Sequence, residues 1–273
     1  VTPEGAGVRV DVRPVSSLMP HEEVIPSHLE RIASEIKQEG IQRDPIIIDA
    51  ESGAVLDGMH RLAAFVKLGL ESVVCFPLDY SSKNVNVHRW ARTYSSSGRG
   101  DLNQALLDAG ISRRSTLSEA FASLDARKGG LAALSSQNVF LPATPIDLQG
   151  AFAVVRGLDA FALELGWKRE FVPEDEIDFA LQDESKIVIL VQRLGKDDVI
   201  AAARNGKLFP CKTSMHTIDP RPVAVNVPIE KLGSMTGAEL RKQLQFSGGK
   251  LFPPGTYYRG RKYKEKLLIF NPE

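Results

Sequence analysis

Cysteine is almost missing from this chain of 273 residues: only Cys75 and Cys211 occur. Two are too few for a dense disulfide framework, and a single bridge between them is allowed but not implied. An excess of one charge is missing too. Lys+Arg and Asp+Glu number 34 each, which excludes a global field that would steer the chain onto nucleic acid or an anionic membrane. No apolar run approaches the roughly 18–20 residues needed to span a bilayer. The opening residues, Val1-Thr-Pro-Glu-Gly, lack the basic-then-apolar pattern of a signal peptide. Internal repeats and low-complexity tracts are absent as well. What is present is ordinary. Hydrophobic residues at 43% and charged residues at 25% sit near the soluble globular average and exclude a mostly disordered chain. The length fits one large domain or two modest ones. The expectation is a soluble cytoplasmic protein with no membrane partner.

Val8-Arg-Val-Asp-Val-Arg alternates with period two and reads as a strand. After Pro20-His-Glu-Glu, the residues Leu29, Ile32, Ala33 and Ile36 recur at helical spacing, and Gly40 is placed to stop the helix. Pro45-Ile-Ile-Ile-Asp, the turn Glu51-Ser-Gly and Ala54-Val-Leu-Asp predict a hairpin over 45–57. The pattern Leu62, Ala63, Phe65, Val66, Leu68 predicts a helix ending at Gly69, and Val73-Val-Cys-Phe-Pro a further strand. Ser95 to Gly100 reads as a linker. Beyond it come helical patterns near 101–109, 117–126 and 151–166, a buried strand from Ile187, a helix from Asp197 to Asn205 stopped by Gly206, and a late strand from Pro222. The chain reads as α+β, with a compact first domain over 1–95 and a more helical second portion over 96–273.

The feature with most chemistry is Asp57-Gly58-Met59-His60-Arg61, between a strand end and a helix start. The first amides of a helix have no intrahelical acceptor and carry the positive end of the helix dipole, so a phosphate is a natural ligand there. Gly58 admits a close anion, His60 and Arg61 add side-chain donors, and Asp57 is a hard oxygen ligand suited to Mg²⁺. The same residues equally describe an ordinary turn with Asp57 as a helix cap. There is no Gly-x-x-x-x-Gly-Lys-Ser/Thr loop, and two scattered cysteines without clustered histidines argue against zinc.

Three segments in order, Met19-Pro20-His21-Glu22, Leu56-Asp57-Gly58-Met59-His60-Arg61 and Gly206 to His216, resemble the archaeal free L-serine kinases and their staphylococcal relative in siderophore synthesis. The likeness spans roughly residues 8–232. It implies a ParB/sulfiredoxin-like nucleotide-binding first domain, a second mixed α/β portion completing the substrate site, and a cleft between them. It also implies a place in amino-acid metabolism such as cysteine biosynthesis. The activity implied is transfer of a phosphoryl group from ATP or ADP, with Mg²⁺, to the hydroxyl of free L-serine. In this resemblance Glu22, rather than Glu23, is the general base; composition alone makes both first-turn acids near a helix start. His60, Arg61 and the amides of Gly58 to Arg61 meet the phosphates, with Asp57 on the metal and Asp57 and His60 sharing in catalysis. Arg43, just before Asp44-Pro45, faces the nucleotide.

The resemblance further implies that Lys212, Thr213, Ser214 and His216 grip the amino-acid substrate and that Trp90 lies near it; taken alone, these residues read as an exposed loop and a core aromatic. Met59 stands where the kinases carry a first His, and Met215 where they carry Arg. Without that Arg a charge-assisted contact to a carboxylate is missing, so a related hydroxyl compound stays open as acceptor. Two other readings exist in this fold. A ParB-like DNA-associated nucleotide switch would need basic excess and a helix-turn-helix, and neither is evident. A sulfiredoxin-type reductase would need a Cys where Met59 stands. Cys75 reads as a buried thiol and Cys211 as solvent-accessible. The basic, aromatic stretch Tyr257 to Lys264 reads as a solvated face, lies past the resemblance, and is expected to bind no nucleic acid. The oligomeric state is not legible.

Overall fold

The computed structural model describes residues 10–96, 98–247 and 249–271. The fold is mixed α/β and forms two compact units, neither continuous in sequence. The first comprises the chain up to Asn86, Lys196–Cys211 and His216 onward; the second comprises Val87–Gly195 and Lys212–Met215. These units differ from the linear pieces 1–95 and 96–273. Segments far apart in sequence share one apolar core, a pairing that local patterns do not encode.

The first unit opens with β1 (Asp11–Pro14) and α1 (Pro26–Glu39). Pro26 sits at the first helical position, where its missing N–H costs nothing, and Gly40 closes the helix at φ 68°. β2 (Ile41–Gln42), β3 (Ile46–Asp49), β4 (Val55–Asp57), α2 (Met59–Lys67) and β5 (Ser72–Leu78) follow. Four strands form a sheet in the order β1-β5-β3-β4. The expected hairpin is β3 against β4, antiparallel. Its register shifts between Ile47, opposite Asp57, and Ile48, opposite Val55. Such a bulge bends a strand and re-aims its end, here at Asp57 and the start of α2.

The second unit begins within β6 (Val85–Ser95), at Val87, and continues through α3 (Leu102–Asp108), β7 (Ile111–Ser115), α4 (Leu117–Asp125), β8 (Leu131–Leu134) and β9 (Val139–Pro142). It closes with α5 (Leu148–Glu164), β10 (Lys168–Pro173), α6 (Ile177–Ala180) and β11 (Lys186–Val191). The long helices start at side-chain caps. Asp101, Thr116 and Asp147 accept from backbone amides, and Thr116 forms a reciprocal capping box with Glu119. The expected helices are therefore present, but the portion is not mainly helical. Its strands run β10-β6-β11-β8-β9-β7 in one sheet. β7 carries Arg113 and Arg114, and β8 is Leu-Ala-Ala-Leu buried on every residue; neither shows the alternation that marks a half-buried strand.

The chain returns through α7 (Lys196–Asn205), β12 (Ser214–Ile218), β13 (Arg221–Val223), β14 (Val227–Pro228), α8 (Gly237–Ser247), β15 (Lys250–Phe252), β16 (Tyr257–Tyr258), β17 (Arg261–Lys262) and β18 (Leu267–Ile269). β12 adds to the seven-stranded sheet beside β6, and β13, β18 and β15 form a small sheet of their own. The first unit's core joins Ile46, Phe65 and Val74 to Val225, Leu240 and Phe270 from this returning segment. Each such fully buried side chain stabilises by up to about 1.5–3 kcal/mol. Among the described residues, no helix is long and apolar enough to cross a membrane.

Candidate active site

The loop carrying Glu22 is laced onto β4. Met19 N–H donates to Gly53 O (3.1 Å) and Val55 N–H donates to Met19 O (2.9 Å). On the far side, Glu22 bridges to Phe209: Phe209 N–H donates to His21 O (2.8 Å) and Glu23 N–H to Phe209 O (2.9 Å). His21 is buried, and its Nδ1 lies 2.7 Å from Val55 O. A carbonyl only accepts, so the ring donates from Nδ1, and its Nε2 lies 3.8 Å from Glu22 Oε1. Burial lowers the His21 pKa, against the smaller opposing pull of Glu22. Glu22 itself is 8% exposed. The sequence quotes His21 in its motif, yet assigns it no role; the structure makes it the side chain that ties Glu22's loop to the strand leading into Asp57.

Because the folded His21 pKa lies below its ordinary value of 6.5, the unfolded chain takes up this proton first as pH falls. Stability from this group is therefore complete above about pH 6.5 and declines below it. Thermal melts of wild type against His21→Gln are expected to show a shallower loss of Tm in the variant between about pH 7 and 5. Parallel Tm–pH curves would refute the assignment.

At the start of α2, Gly58 has φ 107° and no side chain caps the helix. A Cβ there would lie 3.0 Å from the Arg61 guanidinium and 3.3 Å from Ile46 Cγ1. Gly58→Ala is expected to cost about 1–3 kcal/mol of stability through backbone strain and to weaken nucleotide binding, read by denaturant melts and calorimetry. Met59 packs in the core, so only its backbone faces the turn. His60 behaves differently from the simple expectation of a phosphate donor: its Nε2 accepts the N–H of Ile25, the residue capping α1, at 2.9 Å. That bond makes Nε2 an acceptor, so this nitrogen does not donate to a phosphate.

Arg61 NH2 pairs with Asp57 Oδ2 at 3.0 Å, and its NH1 lies 3.9 Å from Asp44. A second arginine, which sequence reasoning missed, meets the same Asp57 oxygen. Arg221 NH1 is 3.0 Å from Oδ2, its NH2 donates to His216 O at 2.7 Å, and its Nε pairs with Glu265. Burial opposes the Arg221 charge, but Asp57 and Glu265 outweigh it and hold the pKa above the ordinary guanidinium value. No local pattern marks Arg221, whose partners are 164 and 44 residues away in sequence. A cavity of about 420 Å³ opens beside this pair, lined by Asp57, Arg61, Arg221 and Asp44, by one face of α1, and by Arg261 and Tyr263. Arg43 also lines it, its guanidinium gripped bidentately by Glu39 at 2.6 and 2.8 Å.

The expected substrate segment is divided between the units. His216 belongs to the first, where it is buried, shares a 2.8 Å hydrogen bond with the Tyr80 hydroxyl and packs edge-on to His21 at 5.6 Å. Burial pushes the Tyr80 pKa far above its ordinary value, so the hydroxyl keeps its proton. In the second unit Lys212, at φ 55°, places Nζ 4.9 Å from the Trp90 ring centroid, and Trp90 N–H donates to Thr213 O at 3.3 Å. Thr213 and Ser214 are buried and Trp90 is half-buried. Cys211, whose place beside the loop left it open to solvent exposure, is buried; Cys75 is buried as expected, with its thiol pKa pushed up to about 12 by burial.

No family model matches the chain. Individual proteins do. The chain is 27% identical over 236 residues to an ATP-dependent L-serine kinase of Staphylothermus marinus, covering 80% of this chain and 89% of the relative. It is 26% identical over 227 residues to the ADP-dependent L-serine kinase SerK of Thermococcus kodakarensis, covering 80% and 90%. Among solved structures, a free serine kinase in complex with AMP superposes with a TM-score of 0.69 at 23% identity, covering 83% of this chain and 95% of that one. Fold and sequence together thus place the chain beside kinases of small molecules. More narrowly, it is similar in sequence to the L-serine kinases of Staphylothermus marinus and Thermococcus kodakarensis.

Proposed function

We propose that this chain is a small-molecule kinase that transfers the terminal phosphoryl group of ATP or ADP to the hydroxyl of free L-serine, giving O-phospho-L-serine. One observation carries the reading. The buried carboxylate of Glu22 is anchored through His21 to the same strand that ends in Asp57 and the uncapped start of α2. A base and an anion cradle thereby hang on one short piece of backbone. The cavity beside Asp57 and Arg61 takes the nucleotide, with its phosphate tail on the amides of Gly58 to Arg61 and on Arg61 itself. Glu22 accepts the hydroxyl proton as the serine oxygen attacks phosphorus and the bond to the leaving nucleotide breaks. Held by Val55, the His21 ring fixes the loop that aims the carboxylate.

The donor set fits Mg²⁺ in one way only. Among the described residues no cluster of three or more His, Cys, Asp or Glu side chains converges on a point, so there is no protein cage. A single carboxylate, Asp57, is the kind of anchor that suits an ion arriving on a nucleotide and keeping its waters. When bound, the ion neutralises phosphate charge. Lys212, Thr213, Ser214, His216 and Trp90 are assigned to the amino-acid substrate. Met215, in place of the kinases' Arg, favours a second reading in which the acceptor is another hydroxyl compound. Incubating the protein with ATP or ADP, Mg²⁺ and a panel of hydroxy amino acids and polyols tests both. Expected is a mass gain of one phosphoryl group on serine; a gain on another acceptor alone would shift the substrate, and none at all would overturn the kinase.

A further inference from the structure

The C-terminal stretch from Tyr257 to Lys264 lies past the region that resembles the kinases, and its composition suggested only a solvated face. The structure brings it to the nucleotide cavity. β16 and β17 form a hairpin, with Tyr257 opposite Lys262. Directly after it, Tyr263 is buried against Val223 and Leu267 in a small apolar cluster, and burial raises its hydroxyl pKa. The Arg261 guanidinium lies 4.7 Å from the Tyr263 ring centroid, and both residues line the cavity with Asp57 and Arg61. Two residues on, Glu265 holds Arg221, which in turn holds Asp57. The hairpin's exit is thereby fixed to the phosphate turn.

Charge pairing in the cavity singles out one side chain. Four of its five arginines already have a carboxylate. Arg31 pairs with Glu35 at 2.6 Å and Arg43 with Glu39 at 2.6 Å, while Arg61 and Arg221 share Asp57, each at 3.0 Å. Arg261, the fifth, has no carboxylate partner among the described residues; its guanidinium rests on the face of Tyr263. An anion meeting any of the other four shares its guanidinium with a carboxylate that already offsets part of the charge, whereas Arg261 meets it with its charge unshared. Resting on an aromatic face also limits the directions in which its donors point, so less rotamer freedom is lost on binding.

We propose that Arg261 is a phosphate-binding residue for the donor nucleotide, and that the C-terminal hairpin is part of the nucleotide site. This assignment rests on the kinase reading above. It is tested by calorimetry of wild type, Arg261→Ala and Arg261→Lys with AMP, ADP and ATP at low and high salt. For Arg261→Ala the expected loss of affinity grows with phosphate number, reaching about 10-fold for the longest tail, and shrinks as salt screens the charge. Arg261→Lys should recover most of it, and unchanged melting temperatures should accompany both variants because the side chain is exposed. Equal losses for all three nucleotides, or no loss, would overturn the phosphate role while leaving the kinase standing. Wild type that binds none of the three would overturn the kinase reading, and this assignment with it.

Discussion

Glu22→Gln is expected to lower turnover by about 10²-fold or more while nucleotide affinity stays essentially unchanged. The substitution keeps the size of the side chain and removes only its capacity to accept the hydroxyl proton. The bonds that hold the loop, from His21 Nδ1 to Val55 O and between Phe209 and the backbone of His21 and Glu23, do not involve the Glu22 carboxylate. Geometry of the loop should therefore survive, and the loss should appear in kcat with little change in the nucleotide KM. Steady-state kinetics with calorimetric binding separates the two effects. A variant with wild-type turnover would remove Glu22 as the base, and a variant that no longer binds nucleotide would show that the carboxylate serves the phosphate site instead.

Arg221→Ala has the largest expected effect on stability. The guanidinium is the meeting point of Asp57, Glu265 and the His216 carbonyl, and Glu265 beside it is nearly as buried, with 9% side-chain exposure. Removing the cation leaves that buried carboxylate without its partner, a change that typically costs about 3–5 kcal/mol. Denaturant unfolding should show the loss. The double variant Arg221→Met with Glu265→Gln should recover much of it, because no uncompensated charge then remains buried. Without that recovery, the cost would lie in lost packing around the guanidinium and not in the ion pair. Nucleotide binding should fall in the single variant as well, since Asp57 loses one of the two cations that orient it.

Much of the first unit is legible in the sequence because its signals are local. Leu29, Ile32, Ala33 and Ile36 face the core from α1 at the spacing that predicts them, and Gly40 ends the helix in the left-handed conformation. The hairpin leading into Asp57-Gly58 is likewise where the apolar run Pro45-Ile-Ile-Ile-Asp and the turn residues place it. The second unit is harder. Its strands β7 and β8 carry charge or alanine where a strand pattern would show alternation, and only the pairing with β9 and β11 makes them strands. The site shows the same division. Glu22, Asp57, Gly58 and Arg61 stand in short motifs, whereas Tyr80 and Arg221 belong to no motif and each meets a site residue more than a hundred positions away, His216 and Asp57 respectively.

Residue order alone determined the turn at Asp57 to Arg61, the helix that follows it, and the set of chemical groups available for phosphoryl transfer, because caps, glycine conformations and periodicity act over a few neighbouring residues. Tertiary structure alone decided how those groups are used. It gave one ring nitrogen of His60 to the Ile25 amide, set Arg221 between Asp57 and Glu265, and carried the C-terminal hairpin to the cavity wall. Such contacts depend on which distant segments share a core. That is settled by the burial of apolar surface over the whole chain, a cooperative quantity that no short window of sequence contains.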